Sequence, residues 1–95
     1  MINTVTPDQK RYCLPWYRAE DWSSLHAMGV SDLPNAYADW RISAEQIEGE
    51  LTRVGVRVER VVVEPGALAA WCRRHGLVPS GTARQQFANE GSSPP

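Results

Sequence analysis

The sequence predicts an α+β fold with about four helices, in the order α-α-β-α-α, around one principal strand. Three observations lead to this class. Apolar residues recur every three or four positions from 37 to 54, which is the spacing of one helix face. A single valine-rich run, residues 56–63, has the composition of a strand. The length of 95 residues fits a single domain with a thin core.

The N-terminal part of the chain is predicted to run from a loose arm into a first helix. Residues 1–11 are polar and form the arm. The apolar run at 12–14 is either a brief edge strand or an extended lead-in, and Pro15 stops it. The first helix spans about 19–28, because acidic residues stand in its first turn and Gly29 follows its end.

The longest helix is predicted over residues 34–54, with Pro34 in its first turn. Its apolar stripe consists of Tyr37, Trp40, Ala44, Ile47, Leu51 and Val54. Ser43, followed three residues later by Gln46, has the form of a capping box, which normally starts a helix. Two helices with a bend near Ile42 are therefore the alternative.

The principal strand at 56–63 alternates apolar and charged residues in its first half and is continuously apolar in its second. A third helix follows the turn at 64–66 and ends at Gly76. A short fourth helix covers 81–90, and the tail at 91–95 is predicted to fray. The predicted core contains Trp40, Ile47, Leu51, Val58, Val62, Leu68, Trp71 and Phe87.

A lone strand leaves its backbone donors and acceptors unpaired, so residues 56–63 need a neighbour. Within the chain only the short run at 11–14 is plausible. The other candidate is the same strand of a second copy, paired antiparallel about a two-fold axis. Reversing residues 57–60 against themselves also sets Arg opposite Glu. Intrachain pairing and a homodimer through 56–63 both stay open.

Charge and cysteine content bound the classes of partner and compartment. The formal net charge is −1, which is too balanced for a protein whose affinity rests on neutralising phosphates. The first residues show no basic-then-apolar leader, and no apolar stretch approaches the length of a membrane span. Cys13 and Cys72 are expected to be reduced thiols. The predicted location is cytoplasmic, with no contact to a membrane.

No pattern in the sequence predicts a catalytic residue, a metal or a cofactor. The common nucleophile, zinc-protease and phosphate-binding motifs are missing from the sequence. Cys72 and His75 share a predicted helix face, and with Cys13 and His26 they supply two thiols and two imidazoles. Their spacing matches no usual zinc site, so a role in the core is favoured. An enzymatic function is not favoured.

The four Trp are the compositional outlier. Trp40 and Trp71 lie on periodic apolar faces and are expected in the core. Trp16 and Tyr17 follow Pro15 outside any helical stripe, so they are either core plugs or exposed anchors for a partner.

Several motifs resemble a group of small bacterial proteins of unknown function. These motifs are Leu14-Pro15-Trp16-Tyr17, Glu20-Asp21-Trp22, Leu33-Pro34 with Tyr37 and Trp40, and Trp71-Cys72. The resemblance spans about residues 13–90 and implies a bacterial cytosolic domain. It implies no activity, ligand or catalytic residue.

The favoured function is a non-enzymatic protein-interaction module, such as an adaptor, an inhibitor or a regulatory subunit. It would bind an unknown protein partner through its strand edge or through an interaction surface made by Trp16, Tyr17, Arg57 and Glu59. The alternative is a nucleic-acid-associated regulator that uses arginines of the C-terminal half. That set comprises Arg53, Arg57, Arg60, Arg84 and, above all, Arg73 and Arg74.

Overall fold

The computed structural model describes residues 10–30 and 32–91. Within them the chain forms an α+β domain with four α-helices and a two-stranded parallel sheet. The elements are β1 (Arg11–Trp16), a 3-10 turn (Ala19–Asp21), α1 (Trp22–Ala27), α2 (Tyr37–Arg53), β2 (Arg57–Val62), α3 (Pro65–His75) and α4 (Gly81–Gly91). The class and the four helices are confirmed. The order and the single principal strand are corrected, because β1 precedes the first helix.

β1 is as long as β2, and the two pair in register from Arg11 opposite Arg57 to Trp16 opposite Val62. Intrachain pairing therefore accounts for one edge of β2. Pro15 was expected to stop the strand, yet β1 continues through it. Proline is tolerated where the missing N–H would point away from the ladder, and Pro15 lies at such a position on the outer edge of β1.

α2 is one continuous helix from Tyr37 to Arg53, so the alternative of two helices is wrong. Ser43 lies inside the helix and caps nothing, because the helix begins after Ala36, which offers no side-chain cap. The predicted ends of α3 and α4 are confirmed. The Glu64 carboxylate accepts from the N–H of Ala67 at 2.7 Å, and Gly76 ends α3 in the left-handed conformation.

The core lies where the sheet meets α1, the first half of α2 and α3. Trp40, Leu68 and Trp71 are buried as predicted, whereas Leu51, Val58 and Phe87 are half-buried. Ile47 and Val62, predicted in the core, are each 48% exposed. Residues that the prediction omitted are buried in their place: Leu14, Trp16, Tyr17, Trp22, Leu25 and Val63.

The exposed end of the α2 stripe has a geometric cause. A helix of 17 residues is about 25 Å long, whereas a six-residue strand spans about 20 Å and a pair of strands is only about 5 Å across. The sheet is therefore too small to cover α2 from end to end. The aromatic core covers Trp40 and Ala44, and the later part of the stripe faces outward.

Residues 1–9 of the predicted arm lie outside the described residues, whereas the Lys10 carbonyl accepts the N–H of Arg57 and Arg11 begins β1. The predicted tail at 91–95 also lies outside them, except for Gly91, the last residue of α4. None of the described helices combines the length and apolar character needed to cross a lipid bilayer.

Candidate functional site

The outer edge of β2 carries backbone groups that face away from β1. The N–H of Arg57 donates to the carbonyl of Lys10 at 2.9 Å, and the N–H of Val63 donates to the carbonyl of Trp16 at 2.8 Å. Because backbone groups alternate along a strand, odd-numbered residues of β2 face β1 and even-numbered residues face outward. We call the outward N–H and C=O groups of Val58, Arg60 and Val62 the β2 edge.

The β2 edge has no hydrogen-bond partner within residues 10–30 and 32–91. The preceding N–H, that of Val56, is different, because it donates to the carbonyl of Leu51 at 2.9 Å. The open stretch therefore begins at the Val56 carbonyl and continues along the strand.

The outer edge of β1 is covered, in contrast. The Gln85 amide nitrogen on α4 donates to the carbonyl of Cys13 at 2.6 Å. The hydroxyl of Tyr12 donates to the Gln85 side-chain oxygen at 2.8 Å, which holds that amide in place. Pro15 removes a further outward donor. Within the described chain, the open edge of the sheet is that of β2.

Arg57 and Glu59 project from the same face of β2 and flank the β2 edge. Glu59 lies 3.3 Å from Arg11, the residue that stands opposite Arg57 in the ladder. Arg57 is exposed and has no ion-pair partner among the described residues. This face thus carries two arginines and one carboxylate, which leaves the positive charge of Arg57 beside the open edge.

Arg60 projects from the opposite face and is fixed there. Its guanidinium lies 3.8 Å from the ring centroid of Trp16 and donates to both carboxylate oxygens of Glu48, at 2.7 and 2.8 Å. These hydrogen bonds from Arg60 lower the pKa of the Glu48 carboxyl. The Arg60 side chain therefore reaches over the sheet toward β1 and leaves its own outer edge open.

Trp16 and Tyr17, predicted in the interaction surface, belong to the core. They are 7% and 3% exposed. Their rings lie 5.0 Å from that of Trp40 and form one aromatic cluster with Trp22 and Tyr37. The core alternative is therefore correct for both, and their assignment to an exposed interaction surface is wrong. Arg57 and Glu59 are the members of that set that lie at the surface.

Arg84, which the sequence placed among the surface arginines, is 4% exposed. Its guanidinium donates to the hydroxyl of Tyr17 at 2.7 Å, the carbonyl of Pro79 at 2.8 Å and the carboxylate of Asp32 at 2.8 Å. Burial raises the pKa of Tyr17. The signal that was missed is periodicity, since Arg84 precedes Phe87 by three residues and the buried Ala88 by four, which places it on the inward face of α4.

Shallow cavities open on the surface of the described residues in at least two places. One of about 290 Å³ lies beside Asp32 and is lined by Val30, Val78 and Ser80 among others. The other, of about 490 Å³, runs along α2 between Gln46, Ile47 and Leu51. In the first cavity the Asp32 carboxylate accepts from Arg84 at 2.8 Å, and the Ser80 hydroxyl accepts from the N–H of Ala83 at 3.2 Å, so both groups have structural partners.

The thiols and imidazoles do not converge. No group of three His, Cys, Asp or Glu side chains within residues 10–30 and 32–91 lies close enough to hold a metal ion. His26 is hydrogen-bonded to the carbonyl of Pro34 at 2.9 Å, and the His75 ring packs 4.4 Å from that of Trp71. Cys13 and Cys72 are not joined by a disulfide, and Cys72 is buried.

Arg73 and Arg74 are exposed in the last turn of α3, as predicted for a surface helix end. Most of the other arginines in the set are not available to bind a polyanion. Arg53 pairs with Glu50, Arg60 pairs with Glu48, and Arg84 is interior.

Comparison of the chain with protein-family models, curated proteins and solved structures found no match. The resemblance to small bacterial proteins therefore stays a prediction, and the β2 edge is judged by its geometry and charge.

Proposed function

We propose that this chain is a non-enzymatic protein-interaction module that binds an extended segment of a partner protein along the β2 edge. The observation that carries the proposal is the row of outward backbone groups at Val58, Arg60 and Val62, which have no partner within the described chain. An unpaired strand edge is a template on which an extended segment adds as a further strand.

The β2 edge is held rigid before any partner binds. β1 pairs with β2 along its length, and the Arg60–Glu48 contact ties the strand to α2. A strand fixed in this way loses little conformational freedom on binding, so more of the energy of the new hydrogen bonds appears as affinity. Each such bond contributes about 0.5–1.5 kcal/mol net.

The end of the α2 stripe provides an apolar surface near the same edge. Ile47 and Val54 are 48% and 69% exposed, and Ile47 lines the shallow cavity along α2 together with Gln46 and Leu51. The carbonyl of Leu51 accepts the N–H of Val56, which places this part of α2 beside the start of β2. A segment on the β2 edge therefore has apolar side chains within reach as well as backbone groups.

Charges on β2 make the edge selective. Charged side chains on an edge strand discourage indiscriminate pairing. Here Arg57 and Glu59 stand on one face and Arg60 on the other. A bound segment must offer complementary charges at the same spacing, which distinguishes a specific partner from any extended peptide.

We also propose where this protein acts and what kind of organism it comes from. We propose the bacterial cytoplasm as the place where the module acts, a compartment that keeps thiols such as that of the buried Cys72 reduced.

The test removes one outward N–H without changing the side chain's bulk. Val58→Pro deletes the Val58 N–H, whereas Val58→Thr keeps both the N–H and the β-branched shape. Purified wild-type chain and both variants are used at submicromolar concentration to select peptides from a random library displayed on phage. We expect wild type and Val58→Thr to select the same extended sequences and Val58→Pro to select none.

Circular dichroism establishes that both variants fold. Docking at the β2 edge would be contradicted if Val58→Pro selected the same peptides as wild type. It would also be contradicted if the selected peptides bound as helices. If Val58→Pro does not fold, Val62→Pro with Val62→Thr repeats the comparison at the more exposed end of the strand.

A further inference from the structure

We infer that the segment that binds the β2 edge is β2 of a second copy of this chain, which makes a four-stranded sheet with an antiparallel pair at its centre. This inference rests on the proposed function and names its partner. It has a definite register, which follows from the direction of the backbone groups and the order of charges along β2.

The direction of the backbone groups limits the registers. In an antiparallel pair, two residues that stand opposite each other both face the partner or both face away. Since even-numbered residues of β2 face outward, a two-fold axis must lie at a residue and cannot lie between two residues. The position numbers of opposite residues then add up to an even number.

Charge selects one position within the charged stretch of β2. A two-fold axis at Arg57, Glu59 or Arg60 places that residue opposite itself, so like charges meet, which is destabilising. An axis at Val61 or Val62 leaves Arg57 without an opposite residue in the second strand. An axis at Val58 avoids both problems.

With the axis at Val58, the strand is complementary to itself. Val58 of each copy exchanges two backbone hydrogen bonds with Val58 of the other, and the N–H of Arg60 donates to the carbonyl of Val56. Arg57 stands opposite Glu59 twice, in pairs that do not exchange hydrogen bonds and whose side chains are therefore closer together. Each Arg57, which has no ion-pair partner among the described residues, gains a carboxylate.

The same register covers exposed apolar surface. Each β2 ends at Val62, and in the antiparallel pair this end points toward the α2–β2 turn of the other copy, where Val54 is the C-cap of α2. Both valines are open in the single chain, at 48% and 69% exposure. Their mutual burial adds an apolar contact at each end of the paired strands.

Charge exchange tests the register directly. Arg57→Glu makes both pairs Glu–Glu, and Glu59→Arg makes both Arg–Arg, so each variant alone is expected to have a dimer dissociation constant raised about tenfold or more. Mixed together, the two variants restore both Arg–Glu pairs. Sedimentation velocity and native mass spectrometry are expected to show a wild-type dimer, monomeric single variants and a heterodimer in the mixture.

Cysteine substitution gives a second test. Opposite residues that exchange hydrogen bonds have Cα atoms about 5.5 Å apart, within disulfide range. Val58→Cys is therefore expected to form a covalent dimer on mild oxidation. Val62→Cys is the matched control, since it is a valine on the same strand face that does not meet itself, and wild type controls for Cys13 and Cys72.

The outcomes separate this inference from the proposed function. A wild-type chain that stays monomeric at millimolar concentration overturns the dimer, while selection of peptides that depends on the Val58 N–H would leave the module intact. Preferential oxidation of Val62→Cys, or a dimer indifferent to Arg57→Glu, overturns the register. Glu59 also binds Arg11, so Glu59→Arg is at risk of not folding. In that case the dimer dissociation constants of Arg57→Glu and Arg57→Gln are compared instead. Equal dissociation constants overturn the register.

Discussion

The guanidinium nitrogen Nε of Arg84 donates to the hydroxyl of Tyr17 at 2.7 Å, in an interior where the two residues are 4% and 3% exposed. The contact joins the segment after β1 to α4, far apart in the chain. The same guanidinium also binds the carbonyl of Pro79 and the carboxylate of Asp32. Arg84 thus cross-links three parts of the fold, and its removal leaves buried polar atoms without a donor.

Arg84→Met is expected to lower the free energy of unfolding by about 2–4 kcal/mol, because the buried Tyr17 hydroxyl and the Pro79 carbonyl lose their hydrogen bonds. Urea unfolding followed by circular dichroism measures the change. Arg73→Met is the matched control, since Arg73 is exposed near the end of α3 and its substitution is expected to cost little. Equal stability of the two variants would show that the Arg84 bonds do not hold the fold.

Acid is expected to weaken the link between Asp32 and Arg84. The hydrogen bond from Arg84 holds the pKa of the Asp32 carboxyl below its usual value. A carboxyl of this kind stabilises the fold above its unfolded pKa, and that stabilisation is lost as the pH falls through the lower, folded pKa. The free energy of unfolding should therefore decline below about pH 4, and Asp32→Asn should make the decline shallower.

The size of this acid effect is limited, because the Asp32 side chain is 54% exposed and salt screens it. Urea unfolding at a series of pH values, at low and high salt, measures it. Glu20→Gln is the control, since its side chain is 73% exposed and its nearest cation lies 3.8 Å away. If the free energy of unfolding falls with acid as steeply in Asp32→Asn as in Glu20→Gln, the proposed role of the Asp32–Arg84 bond is contradicted.

Trp16→Ala is expected to destabilise the fold by about 3–5 kcal/mol, since it removes a buried ring that packs against Trp40 and supports Arg60. Thermal unfolding followed by circular dichroism measures the loss. Val78→Ala, at a position 72% exposed, is the control and should melt close to wild type. A Trp16→Ala variant that keeps wild-type stability would contradict the placement of Trp16 in the core.

The outcome for Pro15 shows what local patterns predict and what they miss. Gly76 located the end of α3 correctly, because a glycine signal of this kind acts within one turn of the chain. Whether a proline stops a strand depends on which edge its nitrogen faces. That edge is fixed by pairing with β2, more than forty residues away, so the sequence around Pro15 does not contain the answer.

The predictions for Ile47 and Arg84 were wrong for a related reason. Periodicity predicted Ile47 in the core, and Arg84 was counted as a surface charge. Whether a face is covered depends on the size of the sheet beneath it, which leaves Ile47 open. Whether a charge is tolerated inside depends on partners such as Asp32 and Tyr17, which come from distant segments. The open edge of β2 was foreseeable, because residues 56–63 were predicted as the principal strand and only the short run at 11–14 offered a neighbour within the chain.

The nucleic-acid alternative leads to a prediction opposite to that of the interaction module. Of the C-terminal-half arginines, Arg53, Arg60 and Arg84 are already engaged with carboxylates, and the formal net charge is −1. Arg57, Arg73 and Arg74 remain exposed. Three arginines are too few to bind a polyanion strongly, since affinity grows with the number of phosphates neutralised. We expect wild type to pass through a heparin column at low salt, and Arg73→Ala/Arg74→Ala to behave identically. Retention by wild type that the double variant loses would favour nucleic acid as the partner.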